Sequence, residues 1–351
     1  MPSKIEWTNE SWNPIVGCSK VSAGCENCYA EKMAHRLAMI GKTQPIYSQV
    51  ETDQSPYGWN SKTVFVESAL EKPLHWKKPR RIFVCSMGDL FHESVPDAWI
   101  DDVFNIASLC DQHTFQILTK RPERMAEYID CLNQDTQYRA NVLDLDAVDV
   151  DDRWPLPNVW LGVTAENQVT ADERIPVLLK IPAAKRFVSV EPMLSAVDLT
   201  KCRIDVERTL NAFSGRLAYD NEYPHTHGGI SDRKGGDASI DWVICGGESG
   251  PGARPMHPDW ARSLRDQCKD AGVPFFFKQW GAWLDFNHMD NSIDAFDAER
   301  RLDNHPDAYR SHIFHIGKIL GYNMKVYRTG KKIAGRLLDG VEHNEYPEIV
   351  K

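Results

Sequence analysis

The chain has 351 residues, 42 % apolar and 26 % charged, and carries a formal net charge of −9. That length allows one large α/β domain or two ordinary ones, and the acidic balance excludes a globally basic nucleic-acid coat while leaving local basic patches open. No run of eighteen apolar residues occurs and Met1-Pro-Ser-Lys-Ile-Glu-Trp7 is no signal peptide, so a soluble, cytoplasmic protein with no membrane partner is expected. Nine cysteines, an odd number, suit a reducing compartment better than a disulfide framework. Six of them (Cys85, Cys110, Cys131, Cys202, Cys245 and Cys268) are scattered singly and read mostly as small core residues.

In chain order, Ser11-Trp-Asn-Pro14 reads as the end of a first strand. Three cysteines follow within eleven residues, Cys18, Cys25 and Cys28, with Ser22, Ala23 and Gly24 keeping the loop between them small and bendable. A structural zinc site normally takes four protein ligands, whereas three thiolates can hold a cube-shaped iron–sulfur cluster and leave one iron open to a small molecule. The triplet therefore points to an enzyme. His35 could instead complete a three-Cys, one-His zinc site, and unmetallated thiols are a third reading. His35 falls, however, inside the helical stretch Ala30–Ile40, off the face that carries Met33, Leu37 and Ile40 and far from the helix start.

From residue 80 the chain repeats a short apolar run, a polar turn and a helix-like stretch. The runs are Arg81–Cys85, Thr114–Leu118, Asn158–Gly162, Arg186–Val190, Asp241–Cys245 and Val273–Phe277. Continuous apolar character in runs this short predicts strands buried on both faces, as in a parallel sheet. Pro96–Cys110 and Pro258–Ala271 are predicted helices, each with one apolar face. The expected architecture is α/β, a partial or complete (β/α) barrel with loop insertions. Each run ends in polar groups: Ser86-Met-Gly-Asp89, Thr119-Lys-Arg121, Thr164-Ala-Glu-Asn167, Glu191-Pro-Met193, Gly246-Gly-Glu-Ser-Gly250 and Lys278-Gln-Trp-Gly281. In βα folds such ends converge on one rim, where active sites are built, and the cysteine loop would share it. Three segments break the rhythm: about 41–79, rich in turn residues with interleaved aromatics; 133–157, with an acidic run from Asp144 to Asp152 expected to be solvated; and 203–239, long and polar. The barrel with these insertions would span 1–317, and 318–351 would be a basic extension packed on it.

Ile5-Glu-Trp-Thr8, Trp12-Asn-Pro14, Gly17-Cys18, Gly24-Cys25, Cys28-Tyr-Ala-Glu31, Ser86–Phe91, Leu118–Pro122, Gly162-Val-Thr164, Glu166-Asn167, Ser189–Pro192, Gly246–Gly250, Lys278–Gly281 and Gly330–Arg336 together resemble the radical S-adenosylmethionine superfamily. More narrowly they resemble its phage-associated branch with a C-x6-C-x2-C loop. The resemblance implies a barrel of the radical S-adenosylmethionine type whose Cys18, Cys25 and Cys28 hold a 4Fe-4S cluster. Its open iron would take the amino and carboxylate groups of S-adenosylmethionine, and cleavage would give a 5′-deoxyadenosyl radical that abstracts hydrogen. The first two cysteines are separated by six residues rather than the usual three, and Tyr29 follows the third where an aromatic usually precedes it.

As cofactor-binding residues the resemblance implies Tyr29 near adenine, Gly88 and Asp89 in place of the usual Gly-Gly-Glu, and Gly246, Gly247 and Glu248 at adenine or substrate. Asp89, Glu166 and Glu191 would meet the sulfonium, ammonium and ribose, Thr164 and Ser189 would add hydroxyls, and Lys120 would meet the carboxylate. Glu191 and Lys278 are the expected catalytic residues, and Lys278, Gln279 and Trp280 offer a charge, an amide and a stacking surface suited to a base. Two basic stretches, Lys72 with His75–Arg81, and Lys325, Arg328, Lys331, Lys332 and Arg336, fit a phosphate-tracking groove. The expected substrate is a modified nucleobase in phage DNA, such as an amino-acid-substituted thymine being isomerised, flipped out of the duplex to reach the barrel. A flavodoxin or ferredoxin would donate electrons, and the site of action would be the host cytoplasm. A radical enzyme on a small metabolite or peptide, and a zinc-stabilised, non-catalytic nucleic-acid-binding protein, are the alternatives.

Overall fold

The computed structural model describes residues 5–52, 58–146, 149–205, 208–219, 238–285, 311–314 and 324–348. Short β-branched and aromatic runs form strands β1 (Glu10–Trp12), β2 (Arg81–Val84), β3 (Thr114–Thr119), β4 (Val159–Thr164), β5 (Lys185–Val190), β6 (Trp242–Gly246) and β7 (Phe275–Gln279). They pair in that order, all parallel, into one curled seven-stranded sheet, a half-barrel. Helices α1 (Tyr29–Ala38), α2 (Asp97–Leu109), α3 (Pro122–Gln134), α4 (Thr136–Leu143), α5 (Gln168–Lys180) and α6 (Pro258–Ala271) fall between the strands. The parallel sheet and the βα alternation are thus as the sequence predicts. Among the described residues no helix is long and apolar enough to cross a membrane.

Alternation along each strand sorts the side chains into two cores. One set, including Val84, Phe115, Ile117, Leu161, Val188, Val243 and Phe277, joins the apolar faces of the helices. The other set, Phe83, Trp160, Phe187, Trp242, Ile244 and Phe276, joins Trp7 to fill the concave side. Trp242 is the hub, its ring 5.7 Å from Phe187, 6.0 Å from Trp160 and 6.1 Å from Trp7. Room for this ring cluster depends on Gly162 of β4, where an added Cβ would lie 2.6 Å from the Phe187 ring.

The two edge strands do not pair with each other, and the β7 edge is covered by another segment. Along β7 the C-terminal segment adds antiparallel bonds, Phe277 N to His343 O at 3.0 Å and Glu345 N to Phe275 O at 3.3 Å. Tyr346 then lies against Trp242, and the Arg81 guanidinium sits 3.7 Å over its ring. Lys331 reaches Glu6 of the N-terminal segment at 2.8 Å, tying the two ends of the chain across the open side.

Some expectations change. Helix α1 packs through Ala30, Ala34 and Ala38 against Val16, Tyr47, Val50 and Met87, which leaves Met33 on its exposed side, and Ile40, past the helix end, is exposed as well. Segment 133–157 contains α4, and its aspartates from Asp144 to Asp152 that are described are exposed, as a solvated run should be. Between 203 and 239 the described part belongs to a small antiparallel sheet of Cys202–Arg203, Arg208–Asn211 and Arg216–Tyr219; residues 220–237 lie outside the described residues, as do 318–323 and 349–351 of the basic extension. Of the six scattered cysteines five are buried and Cys131 is exposed.

Gly162→Ala should cost about 1–3 kcal/mol through overpacking against Phe187, read as a lower urea midpoint at unchanged slope. Adding Phe187→Leu should recover part of that loss, since the two changes share one contact.

Candidate active site

Every strand from β2 to β7 sends residues from its C-terminal end into a single cavity, and the cysteine loop after β1 forms its lip. Cys18, Cys25, Cys28 and Tyr29 line it together with Gly88, Asp89, Lys120, Thr164, Ser189, Glu191, Gly247, Glu248 and Lys278. Of the sequence-predicted residues, Glu166 and Gly246 lie just outside this lining. Ile5, Trp7, Phe83 and Leu118 give the cavity an apolar part where it meets the aromatic interior. Trp280, expected as a stacking surface, is instead core: it is 4 % exposed, its ring meets Phe277, and its Nε1 donates to Leu337 O at 2.8 Å.

The cysteine loop is held from several sides. Ser22 Oγ donates to Glu166 Oε1 at 2.6 Å, and Gly24 packs so tightly that a Cβ there would lie 2.3 Å from the same oxygen. Arg174 Nη1 binds the other Glu166 oxygen at 3.0 Å, and Lys120 Nζ stands 3.8 Å from Oε1. Burial pushes the Glu166 carboxyl up, but Lys120, Arg174 and the Ser22 hydroxyl outweigh it and hold it below its ordinary value.

Two arginines that sequence reasoning passed over do most of the remaining work. Arg121, 6 % exposed, donates to Asp89 at 3.0 Å, Glu93 at 2.8 Å and Ser19 Oγ at 2.7 Å, and its Nη1 lies 3.7 Å from Cys18 Sγ. Arg254 forks onto both Glu248 oxygens at 2.9 and 2.7 Å and reaches Glu26 at 2.9 Å and Ala23 O at 2.8 Å. Asn27 adds bonds to Glu248 at 3.1 Å and to Gly252 O at 2.9 Å. The signal for Arg121 was its place beside Lys120 at a strand end; Arg254, eight residues past β6, gave none.

These clamps redistribute the roles expected of the acidic residues. Asp89 already receives Phe91 N at 3.0 Å, Thr119 Oγ1 at 2.8 Å, Arg121 at 3.0 Å and Lys120 N at 3.4 Å, which fills the roughly four acceptor sites of a carboxylate. Glu248 is equally committed to Arg254 and Asn27. Glu191 differs: Lys278 Nζ at 2.7 Å and Gln279 Nε2 at 3.4 Å both use its Oε1, and Oε2 takes no donor among the described residues. Tyr29 is fixed by its hydroxyl, which donates to Ser86 O at 2.8 Å.

Burial above all, with Asp89 next and Arg121 opposing, pushes the Cys18 thiol up to about 12. His35 stays apart from the cavity, with Nδ1 3.0 Å from Glu51 Oε2. Among the described residues no three His, Cys, Asp or Glu side chains converge as one metal ion would require. In the basic stretches, Arg80 pairs with Glu10, Arg328 donates to Gly250 O at 3.0 Å and Arg336 covers Phe276 at 5.1 Å, whereas Lys72, Lys77, Lys78 and Lys332 are exposed. The Lys325 side chain lies outside the described residues.

Because Glu166 is held below its ordinary value of 4.5, the stability it lends is complete above that pH and is lost as pH falls through the folded value. Unfolding free energy measured against pH should therefore drop below about pH 4.5, and Glu166→Gln should flatten that drop. Arg254→Lys keeps the charge but loses the fork. It should leave the melting temperature within a few degrees and speed alkylation of Cys25 and Cys28 in the metal-free chain severalfold.

No curated protein matches the chain, and no solved structure does. A family model described as protein of unknown function (DUF5131) matches residues 2–347, which takes in the cysteine loop, all seven strands and the C-terminal segment along β7. The chain belongs to this family.

Proposed function

We propose that this is a radical S-adenosylmethionine enzyme whose substrate is a modified nucleobase, an amino-acid-substituted thymine in DNA. The observation that carries the reading is the convergence of three cysteines and six polar strand ends on one cavity. A non-catalytic module has no use for that convergence, and the zinc reading loses its fourth ligand, because His35 is engaged by Glu51 away from the thiols.

The donor set fits a cluster. Cys18, Cys25 and Cys28 would hold it, since a cube spreads its thiolates over separate irons, whereas one zinc ion needs ligand sulfurs converging about 2.3 Å from a point. When bound, the cluster would supply the electron that cleaves S-adenosylmethionine to the 5′-deoxyadenosyl radical. Arg121 places an N–H beside Cys18, and the Glu166 and Arg254 clamps keep the loop from moving as the charge changes. Glu191 Oε2 offers an acceptor to the cofactor's cationic groups or its ribose. Thr164 and Ser189 add hydroxyls along the same wall. The apolar part of the cavity, with Trp7, Phe83 and Leu118, would keep water from the reacting carbon. Exposed Lys72, Lys77 and Lys78 would meet phosphates, and a flavodoxin or ferredoxin would deliver electrons.

The test is anaerobic reconstitution with iron and sulfide, followed by metal analysis and an assay for 5′-deoxyadenosine. About four irons per chain are expected, with loss of iron and cleavage in the Cys18→Ala, Cys25→Ala, Cys28→Ala triple variant. Stoichiometric zinc and no cleavage would overturn the reading.

A further inference from the structure

One polar atom in the cavity wall is left over. Gln279 is 4 % exposed and lines the cavity, yet its Oε1 has no hydrogen-bond partner among the described residues. The amide orientation is fixed by its other end, because Nε2 donates to Glu191 Oε1 at 3.4 Å and to Gly247 O at 3.3 Å. Turning the amide over would set oxygen against two oxygens, so Oε1 is the atom without a donor. A buried carbonyl is costly to leave without a hydrogen bond, so at a cavity wall it is where a ligand N–H would be accommodated.

The neighbouring groups restrict what that ligand is. Lys278 Nζ also binds Glu191 Oε1, at 2.7 Å, and one bond leaves two of the three donors of an ammonium for a ligand acceptor. Trp7, Phe83 and Leu118 supply apolar surface to the same cavity. An N–H donor beside a carbonyl on a flat ring is offered by the imide edge of thymine or uracil, whose N3–H is flanked by two carbonyls, and by the N1–H and C6 carbonyl of guanine; the single ring of the proposed substrate selects the former. Cytosine presents an acceptor at that position and would set its N3 lone pair against Gln279 Oε1.

We infer that Gln279 is the specificity-determining residue of this cavity, accepting the N3–H of a thymine-type imide while Lys278 donates to its adjacent carbonyl. This rests on reading the cavity as a substrate site for a nucleobase and deepens that reading. It does not depend on the cluster.

Titration calorimetry on the full-length, metal-free chain decides it, with thymidine, deoxycytidine and N3-methylthymidine as probes. Thymidine should bind at least about tenfold more tightly than either of the others. Gln279→Leu should bring thymidine and deoxycytidine within about twofold of each other. Equal binding of thymidine and deoxycytidine, no thymidine binding, or a preference that survives Gln279→Leu would overturn the inference. Should that variant fail to fold, the three probes on the unaltered chain still decide. A thymidine preference in a chain that forms no cluster would sink the radical chemistry and leave this inference standing; a working cluster without the preference would do the reverse.

Discussion

A parallel sheet that curls without closing leaves two problems, an unpaired backbone edge and a concave face too wide for ordinary aliphatic side chains to fill. Both are met by segments remote in sequence. The C-terminal residues around His343 and Glu345 hydrogen-bond along β7, and Lys331 reaches Glu6 across the gap. The concave face is packed with rings around Trp242, with Trp7 entering from the N-terminal segment. Because that aromatic plug occupies the interior, space remains at the C-terminal ends of the strands, and the polar residues there share one cavity.

The cavity's electrostatics follow from the cost of burying charge. Carboxylates as buried as Glu166, Asp89 and Glu248 are tolerated only with partners, and Arg174, Arg121 and Arg254 provide them. The same pairs fasten the cysteine loop, since Ser19, Ser22, Ala23 and Glu26 bond to these arginines and to Glu166. Three thiols on a small-residue loop would otherwise sample many arrangements. Groups spent in this way have little capacity left, whereas Glu191, Lys278 and Gln279 keep donors or acceptors to spare.

The cavity thus has two working regions. At the lip are three cysteine thiols, with the Arg121 N–H beside Cys18. Deeper lie an apolar surface and an acceptor–donor edge, suited to a flat polar ring.

The sequence by itself determined the strands, their parallel arrangement and the cysteine loop's place on the rim, because each is a local pattern. Short apolar runs such as Arg81–Cys85 and Asp241–Cys245 carry their burial in their own composition, and polar residues after each run mark its end. Only the tertiary structure decided which polar groups serve the chain and which remain for a ligand. Asp89, Glu191 and Glu248 look alike as strand-end carboxylates, yet Arg121 stands 32 positions from Asp89, and Asn27, which bonds Glu248, stands 221 positions away. The same applies to Trp280, whose indole donates to Leu337 across 57 positions and so belongs to the core. Pairing of buried charges is set by distance in space and dielectric environment, neither of which has a period along the chain.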